Sequence, residues 1–138
     1  MNSLAEDLRQ ILIDGNAVSD DPTADWAVQI GRFSDKPDQL VCLRDIPSRQ
    51  PVYLMGKIAI QIDSCKAVIR STDYRTGYSK GVEVSEIIEM NDQKYINDVG
   101  YWGLRRDDSV GYLDTDGNGR HLFEVTFEVY RQNNSKET

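Results

Sequence analysis

The sequence predicts an α+β fold: a mainly antiparallel β-sheet with two main helices packed on one face. Three observations predict it. Phe123, Val125, Phe127 and Val129 fall on every second position, with Glu124, Thr126 and Glu128 between them, which is the period of a strand. Two stretches, near Leu4 to Ile13 and Tyr74 to Met90, repeat apolar residues at helical spacing. Several shorter alternating runs, such as Trp26-Val28-Ile30 and Ile58-Ile60-Ile62, supply the remaining strands.

The elements follow in order. Ser3 and Glu6 form a capping box that opens the first helix. Leu4, Leu8, Ile11 and Leu12 share one face, Glu6, Asp7, Arg9 and Gln10 point outward, and Asp14-Gly15-Asn16 ends the helix. A loop containing Asp20, Asp21 and Pro22 leads to a strand at Trp26 to Ile30. A turn around Pro37 and a second strand at Gln39 to Arg44 complete what reads as a hairpin. Asp45 to Pro51, with two prolines, reads as loop. The Ile58-Ile60-Ile62 alternation then slips near Asp63-Ser64, where a bulge, a bend or a short turn would reset the face before Val68-Ile69.

The second helix, Asp73 to Met90, places Tyr74, Gly77, Tyr78, Gly81, Val84, Ser85 and Ile88 on one face. Two internal glycines cost about 1 kcal/mol each relative to alanine. Close approach of the helix to the sheet is the expected compensation. The charges Arg75, Lys80, Glu83, Glu86 and Glu89 exclude a membrane role for the Gly77/Gly81 spacing. Short strands are expected at Lys94–Ile96, Tyr101–Leu104 and Val110–Leu113. Asp116-Gly117 and Asn118-Gly119 form a tight turn between the last of these and the long strand, which is expected to lie centrally. Residues 1–131 read as a single α+β domain and 132–138 as a disordered C-terminal tail.

Composition bounds the function. With 39% hydrophobic and 28% charged residues, 138 residues suit one globular core. A net charge of -7 argues against a surface that grips nucleic-acid phosphates. Apolar runs are too short to span a bilayer, and the acidic N-terminal stretch is no signal peptide. Cys42 and Cys65, without paired spacing, read as reduced, buried thiols in the cytosol.

The sharpest motif is Asp114-x-Asp116-x-Asn118-Gly119, the first half of a calcium loop. Its twelfth position is Val125 where a bidentate Glu is needed, and Glu124 stands one place short. Asx and Gly residues equally serve a hairpin turn, and that reading is preferred. His121, the lone histidine, has no nucleophile beside it, and Asp20-Asp21 and Asp107-Asp108 are acid pairs in loops. Trp26, Trp102, Tyr101 and Tyr112 read as core or interface aromatics. There is no GxGxxG, Walker loop or Cys/His cluster, so the sequence assigns no catalytic, cofactor-binding or metal-binding residue.

The ordered pieces LAEDLRQIL, PDQLVCLRD, VIRSTDYRTGYSKGVEVSEII and LDTDGNGRHLFEVTFEVYR, spanning Leu4 to Arg131, carry a resemblance. The chain resembles the tail terminator and minor capsid proteins of long-tailed bacteriophages and related prophages. The resemblance implies a structural virion protein, not an enzyme, made in the bacterial host cytoplasm and built into the virion tail. It implies a ring of this chain, usually of six copies. The ring would stop tail-tube growth and offer a head-tail joining surface to the head connector. Self, tail-tube protein and head connector are the partners implied, with no specific nucleic acid and no membrane. The alternatives are a head-completion or tail-tube protein of the same virion, or a calcium-binding interaction domain using residues 114–119. The Pro47 to Met55 run, with Val52, Tyr53, Leu54 and Met55 in a row and no evident place in the sheet, is the first expectation for a ring contact.

Overall fold

The computed structural model describes residues 2–47, 52–54, 58–107 and 109–133. The elements are α1 (Leu4–Asp14), β1 (Ala27–Ile30), β2 (Leu40–Ile46), β3 (Val52–Leu54), β4 (Ile58–Ser71), α2 (Tyr74–Glu89), β5 (Lys94–Ile96), β6 (Val99–Arg106), β7 (Gly111–Thr115) and β8 (His121–Asn133). Ser3 and Glu6 close the expected capping box on α1, and Asp73 caps α2 by accepting from the Thr76 N–H.

Two long strands make the spine. β4 and β8 pair antiparallel from Ile60↔Gln132 to Ser71↔His121 without a register shift. Shorter strands lie end to end beside them: β2 and β3 along β4, and β7 and β6 along β8. β1 and β5 are the outer strands, in the order β1-β2-β4-β8-β6-β5. The strand read as central is therefore central, and its DGNG turn joins β7 to β8 as expected.

Three sequence expectations need correction. β1 and β2 are parallel, Ala27↔Leu40 through Ile30↔Leu43, and do not form a hairpin. Residues 31–39 cross back over the sheet, held by the Arg70 guanidinium, which donates to the carbonyls of Asp35, Pro37 and Asp38. Alternation within each strand is the same for parallel and antiparallel pairs, so the period could not reveal this. Val52–Leu54 does have a place in the sheet, as β3 beside β4, while residues 48–51 and 55 lie outside the described residues. β8 also continues to Asn133, taking Gln132 and Asn133 from the expected tail; 134–138 lie outside the described residues.

The core lies on the face of the sheet bearing Cys65, Ala67, Ile69, Phe123, Val125, Phe127 and Val129, here the inner face. They share one buried cluster with Leu4, Leu8 and Leu12 of α1 and Val84 and Ile88 of α2. Complete burial of Phe123 or Phe127 is worth about 2–3 kcal/mol each by area. The glycines of α2 permit the close approach the sequence suggested. A Cβ on Gly77 would stand 2.6 Å from the Phe123 ring, and one on Gly81 would stand 2.8 Å from Val110 Cγ1.

β6 breaks register between Trp102 and Arg105, with Gly103 at φ +69°. Past the end of β5 its backbone donors need acceptors, and α2 and the turn after it supply them. Leu104 N–H donates to Asp92 Oδ1 at 2.9 Å and Arg106 N–H to Glu89 Oε2 at 2.9 Å. The β5–β6 hairpin turns at Asn97-Asp98, both at positive φ, the geometry of a two-residue turn that matches sheet twist.

Candidate assembly surface

The Asp/Asn/Gly motif is a lock for the crossover. Asp116 Oδ1 accepts from the backbone N–H groups of Asn118 and Arg120, both at 2.9 Å, and its Oδ2 accepts from Arg120 Nε at 2.8 Å. Desolvation pushes the Asp116 carboxyl up, but these backbone donors and the guanidinium outweigh it and hold it below the usual carboxylate range. Arg120, itself buried, also reaches Asp35 O at 2.6 Å and Asp38 Oδ1 at 3.1 Å. That contact depresses Asp38 as well. Asp114 lies apart from this lock and accepts from the Thr115 N–H. The carboxylate a calcium loop would use at position 3 thus serves protein donors.

At the other end of the sheet lies a buried charge cluster that the sequence reading missed. Arg131, on the inner face of β8, donates to Asp63 Oδ2 at 2.8 Å and Asp7 Oδ2 at 3.2 Å, and reaches Asn2 O at 2.6 Å. Tyr101 OH donates to the same Asp7 oxygen, and Asn97 Nδ2 to Asp7 Oδ1 at 2.9 Å. Burial, then the Asp7 hydrogen bond, push the Tyr101 phenol far up, so it stays a donor. Asp7 was expected outside, yet it is 1% exposed. Its spacing, three after Leu4 and four before Ile11, was the available signal.

This cluster also explains the slip at Asp63-Ser64. β4 has no irregularity against β8. Instead the inner face turns polar at Gln61 and Asp63, so Ile60 and Ile62 belong to the opposite, outer face.

The outer face is dressed unequally. Near β1 and β2 the 31–39 crossover lies on it: Arg70 binds its carbonyls and stacks on Phe33 at 5.0 Å, and Cys42 Sγ contacts Arg32 O. In the middle stand Arg44, Lys66 and Arg105, with Lys66 paired to Glu124 at 3.2 Å and Arg105 to Glu128 at 3.1 Å. Toward β5, Ile62, Tyr130 and Trp102 stand side by side across β4, β8 and β6. Tyr95 meets the Trp102 ring edge-on at 5.9 Å, and the Trp102 indole lies over Gly100. Tyr95 is 60% and Tyr130 41% exposed, and no described element covers them. A second exposed aromatic group lies on the helix side, where Tyr74 stacks between Tyr112 (5.2 Å) and Phe123 (5.1 Å), with His121 at 5.7 Å.

The other singled-out residues fall into place. Cys42 and Cys65 are free and buried, and burial raises both thiols. Tyr101 is core, whereas Trp102 and Tyr112 look outward. Asp20 and Asp21 are exposed in their loop; Asp107 follows β6 and is exposed, and Asp108 lies outside the described residues. Among the described residues, no group of three or more His, Cys, Asp or Glu side chains is placed to hold a metal, and no helix is long and apolar enough to cross a membrane.

The mostly antiparallel sheet with two helices thus spends these polar clusters on internal locks and leaves several aromatics partly exposed. The bacteriophage tail terminator protein family matches residues 11–133, and the chain belongs to that family. It is a structural phage tail protein and not an enzyme. Among curated proteins no sequence matches. The fold is similar to that of a chain in the virion of a native gene transfer agent particle, with a TM-score of 0.62 at 10% identity, over 94% of this chain and 95% of that one.

Proposed function

We propose that this protein closes the finished end of a phage tail tube as a ring of its own copies, usually six, and presents the joining surface to the head connector. The family match over residues 11–133 carries the reading. Two features support it. A closed ring needs a head-to-tail contact in which two different patches meet. The chain has exposed aromatic patches on opposite sides of its sheet, at Tyr95/Trp102/Tyr130 and at Tyr74/Tyr112. A net charge of -7 suits a passage through which DNA must slide without sticking. Both helices form one layer on the inner face, which leaves the outer face for contacts; the shared core cluster supports this. No residue here is assigned catalysis or a cofactor. The protein's place is the virion tail, after synthesis in the host cytoplasm, and its partners there are tube and connector proteins.

Disrupting the gene in the phage tests the reading. The expected result is overlong or unjoined tails beside full heads, restored by the gene supplied in trans. Normal joined particles with tails of normal length would refute it.

A further inference from the structure

The Asp116-Gly117-Asn118-Gly119 turn holds the chain's one Asn-Gly step, and Asn118 is exposed. Such a step carries its own chemistry. The Gly119 nitrogen attacks Asn118 Cγ, forming a C–N bond and a succinimide ring while the side-chain nitrogen leaves as ammonia. Water then opens the ring to aspartate or isoaspartate, so the sequence of steps needs no oxidant and no catalyst. Glycine hinders this attack least, having no Cβ, and the space that a Cβ on Gly119 would occupy is empty to 4 Å. We propose that Asn118 is a latent deamidation site, which the Arg120 lock keeps shut in the folded chain. The proposal stands apart from the ring reading.

The closed turn opposes the attack in two ways. The Gly119 nitrogen must lose its proton, and it must swing toward Cγ. In the turn its N–H donates to Asp116 O at 3.1 Å, and the Asn118 N–H donates to Asp116 Oδ1 at 2.9 Å, so the backbone is pinned on both sides of Asn118. Of the four turn residues only Gly119 has positive φ, at +76°, as in a type I turn closed by a glycine bulge. Such a turn holds its third residue, here Asn118, at ψ of about 0°. The next nitrogen then lies beside the residue's own N–H and away from its side chain. Asp116 ties these bonds to the rest of the fold. It also accepts from Arg120 N–H at 2.9 Å and Arg120 Nε at 2.8 Å, and Arg120 is anchored on Asp35 O and Asp38 Oδ1. The Asn118 amide itself reaches Asp35 Oδ1 at 3.5 Å. Release of Arg120 therefore lets the turn open and frees the attacking nitrogen. The same contacts guard the neighbouring Asp116-Gly117 step, because a carboxylate paired with a guanidinium is a poor target for a nitrogen nucleophile.

Peptide mass spectrometry after incubation in mildly alkaline buffer tests this, with loss of the Asn118 amide read in the peptide that contains it. The wild type is incubated folded and, in parallel, unfolded in urea. The folded protein should lose the amide at least about 30-fold more slowly, the factor that about 2 kcal/mol of closure supplies. Arg120→Leu should remove most of that protection. Asp38→Ala, a milder change at a half-buried partner of Arg120, should remove part of it. Melting temperatures above that of the incubation show that each variant is folded during the assay. Equal rates for folded and unfolded wild type would overturn the proposal. Full wild-type protection in the folded variants would overturn it too, since the lock would then not be what shuts the site.

Discussion

Gly77→Ala is the most searching test of the helix-sheet packing. At an open helical position the change would stabilise the protein by about 1 kcal/mol through propensity. Here the new methyl would stand 2.6 Å from Phe123 Cε1, 3.0 Å from Cδ1 and 3.1 Å from Ser71 Cβ. An ordinary carbon contact is near 3.6 Å, so the ring must retreat by about 1 Å. It has little room, being 0% exposed and packed on its open side by Tyr74, Tyr78 and Tyr112. Moving α2 instead would lift Gly81 off Val110 and open a gap beneath the helix. Overpacking of this kind costs about 1–3 kcal/mol, and two-sided confinement puts it at the upper end. Net of propensity, the expected destabilisation is about 2 kcal/mol, or about 6–10 °C in melting temperature for a chain of this length. Thermal melts by circular dichroism measure it, with exposed Glu86→Ala as the control. Glu83 is half-buried and bound to Lys80 at 2.9 Å, and is less suitable. Phe123→Leu should relieve part of the clash, so the double variant should be less destabilised than the sum of the singles. An unchanged or raised melting temperature for Gly77→Ala would refute the reasoning.

Other outcomes follow from the polar clusters. Arg131→Leu strands Asp7 and Asp63, 1% and 7% exposed, without a cation, and should cost about 3–5 kcal/mol; a denaturant midpoint near wild type would contradict the burial argument. Arg120→Leu removes the lock between the turn and the crossover, but its carboxylates can rehydrate, so about 2 kcal/mol is expected in the same assay, together with faster amide exchange over residues 31–39. Asp38, Asp73 and Asp116 all have depressed carboxyls. Their contribution is therefore complete above the unfolded carboxylate value near 4 and is lost as pH falls through the lower folded values. Melts between pH 6 and pH 2.5 should stay flat to about pH 4.5 and then drop, with a shallower drop for Asp116→Asn. Millimolar calcium should leave the melting temperature unchanged, since Asp116 is held by Arg120; a rise of several degrees that Asp114→Ala abolishes would reopen the calcium reading.

What the sequence shows well is local. The capping box of Ser3 and Glu6, the glycine face of α2 and the alternation of β8 each arise from residues near one another in the chain, and each is found where the pattern places it. What it hides is pairing. The parallel β1–β2 arrangement depends on Arg70 holding a crossover that begins thirty-odd residues earlier, and the place of β3 depends on a partner strand. The Asp116 motif shows the same limit: its spacing is shared by a metal loop and a turn, and the long-range contacts of Arg120 to Asp35 and Asp38 cannot be read from that spacing.

The Ile58 to Ser71 stretch joins these two lessons and bears on assembly. On alternation alone, Ile60 and Ile62 compete with Cys65, Ala67 and Ile69 for the core, since the two sets fall on opposite faces of one unbroken strand. The inner face can carry Asp63 only because Arg131 and Asp7 meet it there, a pairing spread across the whole chain. Once that cluster fixes the inner face, the isoleucines must point outward, beside Tyr130 and Trp102. A sheet with no use for its outer face would carry polar residues at these positions, as β8 does with Thr126 and Glu128. The break in the pattern is thus one strand with two different faces: a buried ion cluster on one side and a half-buried apolar row on the other.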